Sequence, residues 1–378
     1  MYDISTQKSN VPGWLIHQIA KNFLIWSIPN VLSMRTYISL FLLCCTSMLS
    51  GQGVHPEDWG LRAFRMDDPQ LGRIDYYVTE KGLDLDKPIL FMVSGVRGLP
   101  IMLVVQSGEE SLQIGTVPPD QIFSFADRYH VAFISKPGTP FCDTFEVDEI
   151  NPLQNLEDYP PPEEYIQKCG MDWELEASTR VIESLTRTLP NSSGKVIAVG
   201  LSEGGQMVPK LAEECGLITH LVSVEGSGLN QFYSSIINSR MDAAAGRITH
   251  HEAQEAIDSL FAVYQRIYSD PESTEKWYYG HPYKRWGSFC NDIPLEHLVK
   301  LNIPILIVGG SADRNSPVLH ADYIMLEFLR LGKTNLTYRV IPGMDHWLTE
   351  TVESEGEQEH ISHREEVFGY ISDWIIRN

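Results

Sequence analysis

Ser202 stands at the centre of Gly200-Leu201-Ser202-Glu203-Gly204, with the β-branched apolar run 196–199 before it and a helix-like segment through Cys215 after it. A serine on a sharp strand-to-helix turn pushes its hydroxyl out of the sheet, and the crowded backbone leaves room only for small residues two positions to either side. Gly200 and Gly204 meet that demand, which makes Ser202 the candidate nucleophile. Such a serine needs a base and an acid, delivered in the order serine, acid, histidine from loops that follow later strands. The run 304–308, Pro-Ile-Leu-Ile-Val, reads as a short buried strand and opens into Gly309-Gly310-Ser311-Ala312-Asp313, so Asp313 is the candidate acid. The run 336–341 reads as the next strand, and the turn Pro342-Gly343-Met344-Asp345 delivers His346, the candidate general base.

Rivals for these roles fail on position. The chain has 12 histidines. His250 and His251 are adjacent in a helical stretch and cannot share a face, which also argues against a metal pair. His360 and His363 belong to a charged segment expected to face water, and His220 lies in a strand-like run suited to a core histidine. Asp345 is too local to reach round to the imidazole Nδ1 of its neighbour. Glu225 is the stronger rival acid, because it ends the strand that follows the nucleophile helix. Its other readings are an anchor for a cationic or amino group of a substrate, or a capped carboxylate at a strand end.

Attack on a carbonyl also needs donors aimed at the oxygen that becomes negative. One is expected from the backbone N–H of Glu203. The other is expected from the loop after the third strand, where the run 88–93 leads into Ser94-Gly95-Val96-Arg97-Gly98, with Val96 the candidate donor. Arg97 is read either as a contact for a substrate carboxylate or as a solvated surface arginine.

The chain resembles the α/β-hydrolases over about residues 60–378, and Ser202-Glu203-Gly204-Gly205 with Pro209 is similar to the G-H-S-E-G-G-x-x-A-P pattern of carboxylesterase-like members. Leu201 replaces the histidine common before the serine, Val208 replaces the alanine before the proline, and Ser94 stands where the lipase-like oxyanion motif usually has histidine. The doubled glycine and the spacing from Asp313 to His346 are also similar to the catalytic domain of prolyl oligopeptidase-type peptidases. The resemblance implies a mostly parallel central sheet flanked by helices, and an enzyme that opens a carboxylic ester through an acyl-enzyme without metal or organic cofactor. A peptidase or aminopeptidase would use the same groups, with Glu225 as its amino-terminus anchor. A binding protein on a hydrolase scaffold is the third reading, and retention of all three triad residue types argues against it.

At 378 residues, 43% hydrophobic, the chain can bury one large core plus an insertion. A net charge of −21, with no basic stripe, excludes nucleic acid as a partner and leaves a small ester or short peptide as the expected substrate. Residues 37–49 form an apolar run of signal-peptide length after Met34-Arg35, shorter than the roughly 20 residues of a membrane span. Residues 1–51 are therefore expected to be a signal peptide or N-terminal extension, with export to the periplasm or medium. The alternative is an uncleaved segment that attaches the protein to a membrane. Cys142, Cys169, Cys215 and Cys290 remain beyond it; a local Cys142–Cys169 bridge and four reduced thiols are both open.

The positioning elements read as an antiparallel opening pair at 61–66 and 71–79, strands at 88–93 and 130–135, a helix at 172–188 with Asp172 as N-cap, and a sixth strand at 217–224. The long connection from Lys136 through Pro162 suggests a substrate rim. The core is expected at 52–228 and 296–378, with a helical cap inserted at 229–295 after the sixth strand. The cap's aromatic residues, Trp286 among them, are read either as an acyl pocket or as packing between cap and core. Acidic residues from Glu353 to Glu359 read as solvated loop, and 361–377 as the last core helix.

Overall fold

The computed structural model describes residues 54–378 apart from Val96, Pro118 and 355–356. The N-terminal signal or anchor segment therefore lies outside the described residues, as does Val96, the proposed second oxyanion donor. Among the described residues no helix is long and apolar enough to cross a membrane.

Eight strands build the central sheet: β1 (Leu61–Asp68), β2 (Gly72–Thr79), β3 (Ile89–Val93), β4 (His130–Ile134), β5 (Val196–Leu201), β6 (His220–Val224), β7 (Ile305–Gly310) and β8 (Leu336–Ile341). Their spatial order is β1-β2-β4-β3-β5-β6-β7-β8. β2 runs antiparallel to β1 and β4, and from β4 onward every pairing is parallel. That is the expected α/β-hydrolase sheet. The middle strands are apolar throughout because helices cover both faces. Ile89, Phe91 and Val93 of β3 share one core with Val181 and Ile182 of the helix Met171–Thr188 and with Met207 and Leu211 of the helix Glu203–Cys215. Leu90 and Met92 point the other way, into a core closed by Phe125 and by Val367, Ile371 and Trp374 of the C-terminal helix Arg364–Arg377. The period of two along each strand thus divides the apolar residues between two layers.

Several local expectations need correction. Asp172 lies inside the first turn of its helix, whose N-cap is Gly170. The segment between β3 and β4 contributes strands Met102–Ser107 and Glu110–Gly115. These join Cys142–Glu146 from the long connection in a three-stranded side sheet, so that connection is partly paired rather than only a rim loop. The acidic stretch near 353–359 is not plain loop: Thr349–Ser354 and Glu357–Ser362 pair as an antiparallel hairpin. Alternation there is polar on both faces, so the periodicity carries no signal. No disulfide joins Cys142, Cys169, Cys215 and Cys290; Cys169 and Cys290 are buried.

The insertion between β6 and β7 is mostly helical, with helices Phe232–Ala244 and His250–Ser269. Ser235–Ser269 belongs to a compact unit of its own, and Asp270 onward belongs to the sheet unit. The helix Tyr283–Asn291 belongs to that sheet unit, placing Phe289 in the same core as β3. Within 235–269, Arg247 pairs with Asp242 at 2.6 Å, and Ala253, Ile257, Leu260 and Tyr264 form a buried face at helical spacing.

Candidate active site

The carboxyl ends of β5, β6, β7 and β8 bring Ser202, Glu225, Asp313 and His346 to one edge of the sheet unit. Ser202 follows β5 directly, with φ 56° and ψ −118°, a left-handed conformation that an L-residue adopts only when its surroundings impose it. Glycine is required around it for space. A Cβ on Gly200 would collide with the Gly204 carbonyl, and one on Gly204 would collide with the carbonyl of Val93 in β3. Helix and strand therefore touch backbone to backbone, and the serine is lifted to the edge between them.

The three expected catalytic side chains are in hydrogen-bonded line. Ser202 Oγ lies 2.8 Å from His346 Nε2, and His346 Nδ1 lies 2.8 Å from Asp313 Oδ2. With a neutral imidazole, Nδ1–H donates to the carboxylate, which leaves Nε2 to accept the serine proton. Asp313 is 4% exposed, and its Oδ1 accepts backbone N–H groups from Asn315 at 2.7 Å and Ser316 at 2.9 Å. Burial pushes its carboxyl upward. The charge and hydrogen bond of His346 outweigh that, with donors at Glu225 and Ser316, and hold it below the usual carboxylate range. The base is seated by its turn: Asp345 accepts the N–H groups of Trp347 and Thr349 through its side chain.

Glu203 begins the helix after the serine, and Gly95 lies against it: a Cβ on Gly95 would stand 2.6 Å from the Glu203 nitrogen and 3.0 Å from Ser202 Cβ. Gly95 has no left-handed φ, so the requirement there is room alone. Gly95 is thus packed against the serine turn with no room for a side chain, next to the Glu203 N–H expected to meet a developing oxyanion. Gly95, two residues past the buried strand β3, reads in sequence only as a loop glycine, and its packing against the serine turn appears only in three dimensions.

The lower-ranked site residues are placed elsewhere. Arg97 turns to main-chain carbonyls, with Nη1 donating to Glu157 O at 3.0 Å and Nη2 reaching Gly280 O at 3.4 Å, so it ties the loop after β3 to two neighbouring segments. The Glu157 carbonyl lies near the end of the helix Pro152–Asp158, where a cation is favoured by the helix dipole. Trp286 donates its indole N–H to Tyr278 O at 2.7 Å, stacks on Phe232 at 5.3 Å and lies under the Arg285 guanidinium, which matches the packing reading. Glu225 is 4% exposed, and both carboxyl oxygens are shut off from solvent. It is thus turned inward, away from any substrate amine. Burial first, then the adjacent Asp313, pushes its carboxyl up to about 11.

A buried ionic cluster on the far side of Glu203 was not legible in the sequence. Arg285 pairs with the Glu203 carboxylate and donates to Gln231 Oε1 at 2.8 Å. Lys136 donates to Glu174 at 2.5 Å and lies 3.9 Å from Glu203. All four charged groups are at most 9% exposed, so each charge is buried beside a partner of opposite sign. The cluster holds Glu203, the residue expected from the sequence to present an oxyanion N–H.

Glu225, Asp313 and His346 present ligand-type atoms within 4.8 Å of one another. The imidazole is already engaged on both nitrogens, by Ser202 and Asp313, so the set suits proton transfer better than cation binding.

No protein-family model matches the chain, and no curated protein matches it by sequence. Among solved structures it is similar to a Porphyromonas gingivalis dipeptidyl peptidase 4, at 12% identity over 84% of this chain and 35% of that one, with a TM-score of 0.47. A Pyrococcus horikoshii acylaminoacyl peptidase matches at 13% identity over 76% of this chain and 37% of that one, with a TM-score of 0.45. A Pyrococcus furiosus esterase matches at 10% identity over 88% and 96% of the two chains, with a TM-score of 0.47. The chain thus spans little more than a third of these peptidases. By its own sheet order and its strained serine turn, the chain has the α/β-hydrolase fold.

Proposed function

We propose that the chain is an exported serine hydrolase that cleaves a carboxylic ester. The observation that carries this reading is the continuous relay of 2.8 Å hydrogen bonds from Ser202 Oγ through His346 to Asp313. In the proposed cycle Ser202 Oγ attacks the carbonyl carbon while His346 Nε2 takes its proton. The oxyanion is met by the N–H of Glu203, and the proton passes to the leaving alkoxide. Water then attacks the acyl-enzyme, with His346 again taking and returning a proton. Asp313 stays ionised throughout, fixing the tautomer and stabilising the imidazolium.

Peptide hydrolysis would use the same groups and a different leaving atom. The ester reading is preferred because Glu225, the residue expected to anchor an amino terminus, is buried beside Asp313. A binding protein without turnover has no use for an aligned relay. Export is supported by the apolar run 37–49.

The test is Ser202→Ala. Fluorophosphonate labelling and hydrolysis of a short p-nitrophenyl ester should both disappear while the thermal melt is kept; activity near that of the parent would remove Ser202 as nucleophile. Parallel assays on aminoacyl amides separate ester from peptide chemistry.

A further inference from the structure

Glu225 is a buried carboxyl with no cation assigned to it, placed against the carboxylate that the proposed relay depends on. Neither of its oxygens has a hydrogen bond of ordinary geometry from an N–H or a hydroxyl, and both are shut off from water. One lies against Gly310, where an added Cβ would stand 3.0 Å from Oε1. The remaining charged or titratable groups around it come from two loops and a helix. Asp313 and His346 have polar atoms within 4.8 Å, Asp345 adds a further negative influence, and His320 faces Asp313 from the helix Leu319–Arg330. His320 is held down at about 4 by burial and is therefore neutral, so it supplies no balancing charge. Two carboxyls this close, in a space this dry, cannot both be ionised. Asp313 is the one with the donors: two backbone N–H groups and the imidazole.

We propose that Glu225 is protonated at neutral pH and donates its O–H to the Asp313 carboxylate, acting as a positioning residue that seats the acid. Donation lowers the basicity of Asp313 and so limits its hold on the imidazolium. The strained backbone at Glu225, φ 51°, is what turns the side chain inward from the end of β6. If the Asp313 charge is removed, burial still keeps Glu225 neutral, and its O–H loses the carboxylate that accepts it.

The proposal rests on the relay reading, and its test separates the two. Infrared spectroscopy of the parent at pH 7 should show the carbonyl band of a protonated carboxyl that Glu225→Gln removes; Glu174 and Asp345 are also pushed upward by burial, so assignment depends on that loss. Glu225→Gln should also move the acid limb of kcat/KM to higher pH, because an amide is a weaker donor to Asp313. A purely structural role would leave that limb in place. Asp313→Asn/Glu225→Gln should be no slower than Asp313→Asn, because Glu225 acts through the Asp313 carboxylate. Should Glu225→Gln fail to fold, the difference spectrum between the parent and Asp313→Asn carries the same test, since the band should shift when its acceptor changes from a carboxylate to an amide. A parent without the band, or a double variant about ten or more times slower than Asp313→Asn, overturns the proposal while leaving Ser202 labelling untouched. Activity that survives Ser202→Ala overturns the hydrolase reading instead.

Discussion

Adding one methyl group at Gly95 tests whether the space beside Glu203 is the oxyanion site. In Gly95→Ala the new Cβ would stand 2.6 Å from the Glu203 nitrogen, 2.8 Å from the Leu201 carbonyl oxygen and 3.0 Å from Ser202 Cβ. Ordinary contact begins near 3.4 Å, so loop and elbow must separate by several tenths of an ångström. None of the three atoms belongs to a flexible side chain that can swing away. Overpacking of this kind costs about 1 to 3 kcal/mol of stability. The larger effect is on chemistry, because the methyl crowds the donor that should meet the developing charge. Loss of one such donor costs about 3 to 4 kcal/mol of barrier lowering, or roughly 10²–10³ in kcat. Gly309→Ala is the control, since its Cβ meets only Ala321 Cβ, at 3.9 Å. Steady-state ester hydrolysis should show kcat down by about that factor for Gly95→Ala with KM changed far less, and thermal melts should confirm a folded protein. A folded Gly95→Ala with parental kcat would refute the placement of the oxyanion beside Glu203.

Other expectations follow from charge. Asp313→Asn should lower kcat by about 10³–10⁴ by favouring the wrong imidazole tautomer, checked by ester hydrolysis with Ser202 labelling as a parallel readout. Arg285→Met leaves Glu203 buried without its cation and should cost about 3 to 5 kcal/mol in denaturant unfolding. Combining it with Glu203→Gln should recover part of that loss, and strictly additive effects would show that the two side chains are not coupled. Glu225 has a folded pKa raised above its unfolded one, so its contribution to stability is fully present below about pH 4 and is lost as pH rises toward the folded value. Glu225→Gln lacks that loss. Its unfolding free energy should match the parent's near pH 4 and then pull ahead by at most about 1.4 kcal/mol per pH unit, and parallel curves would contradict the buried neutral carboxyl.

Much of this arrangement could be read from the chain because it depends on local pattern. The inner strands β3, β5 and β7 are short apolar runs, and Ser202, Asp313 and His346 lie one, three and five residues past the ends of β5, β7 and β8. Elements whose identity depends on a distant partner were not readable. Strands Met102–Ser107 and Cys142–Glu146 become a pair only after the chain has returned from β4, and neither shows a distinctive alternation. The Arg285–Glu203 and Lys136–Glu174 pairs join residues far apart in sequence, so no spacing rule announces them. Glu225 is instructive in another way. Its place at the end of β6 drew attention to it, but whether the side chain faces substrate or core depends on a backbone φ of 51°, which a glutamate's identity does not reveal.

Backbone strain in this molecule has a distribution that follows from how the sheet ends. Among the described residues, Ser202, Glu225, Tyr279 and Leu348 are the non-glycine residues with left-handed φ, and three of them adjoin the relay. Each such conformation costs about 1 to 3 kcal/mol unless neighbours impose it. Ser202 donates its N–H to Val224 O at 2.9 Å, and Glu225 donates to Val308 O at 2.9 Å, so each strained residue is the last one its strand pairs to the next. Leu348, two residues past His346, is closed by its N–H to Asp345 O at 3.1 Å. The hydrogen bonds that force the serine outward and the glutamate inward are thus main-chain bonds of the parallel sheet itself. They exist before any substrate arrives, which means Ser202 and the Asp313–Glu225 pair are held in place by folding and, in the proposed reaction, need no ligand-driven rearrangement to align.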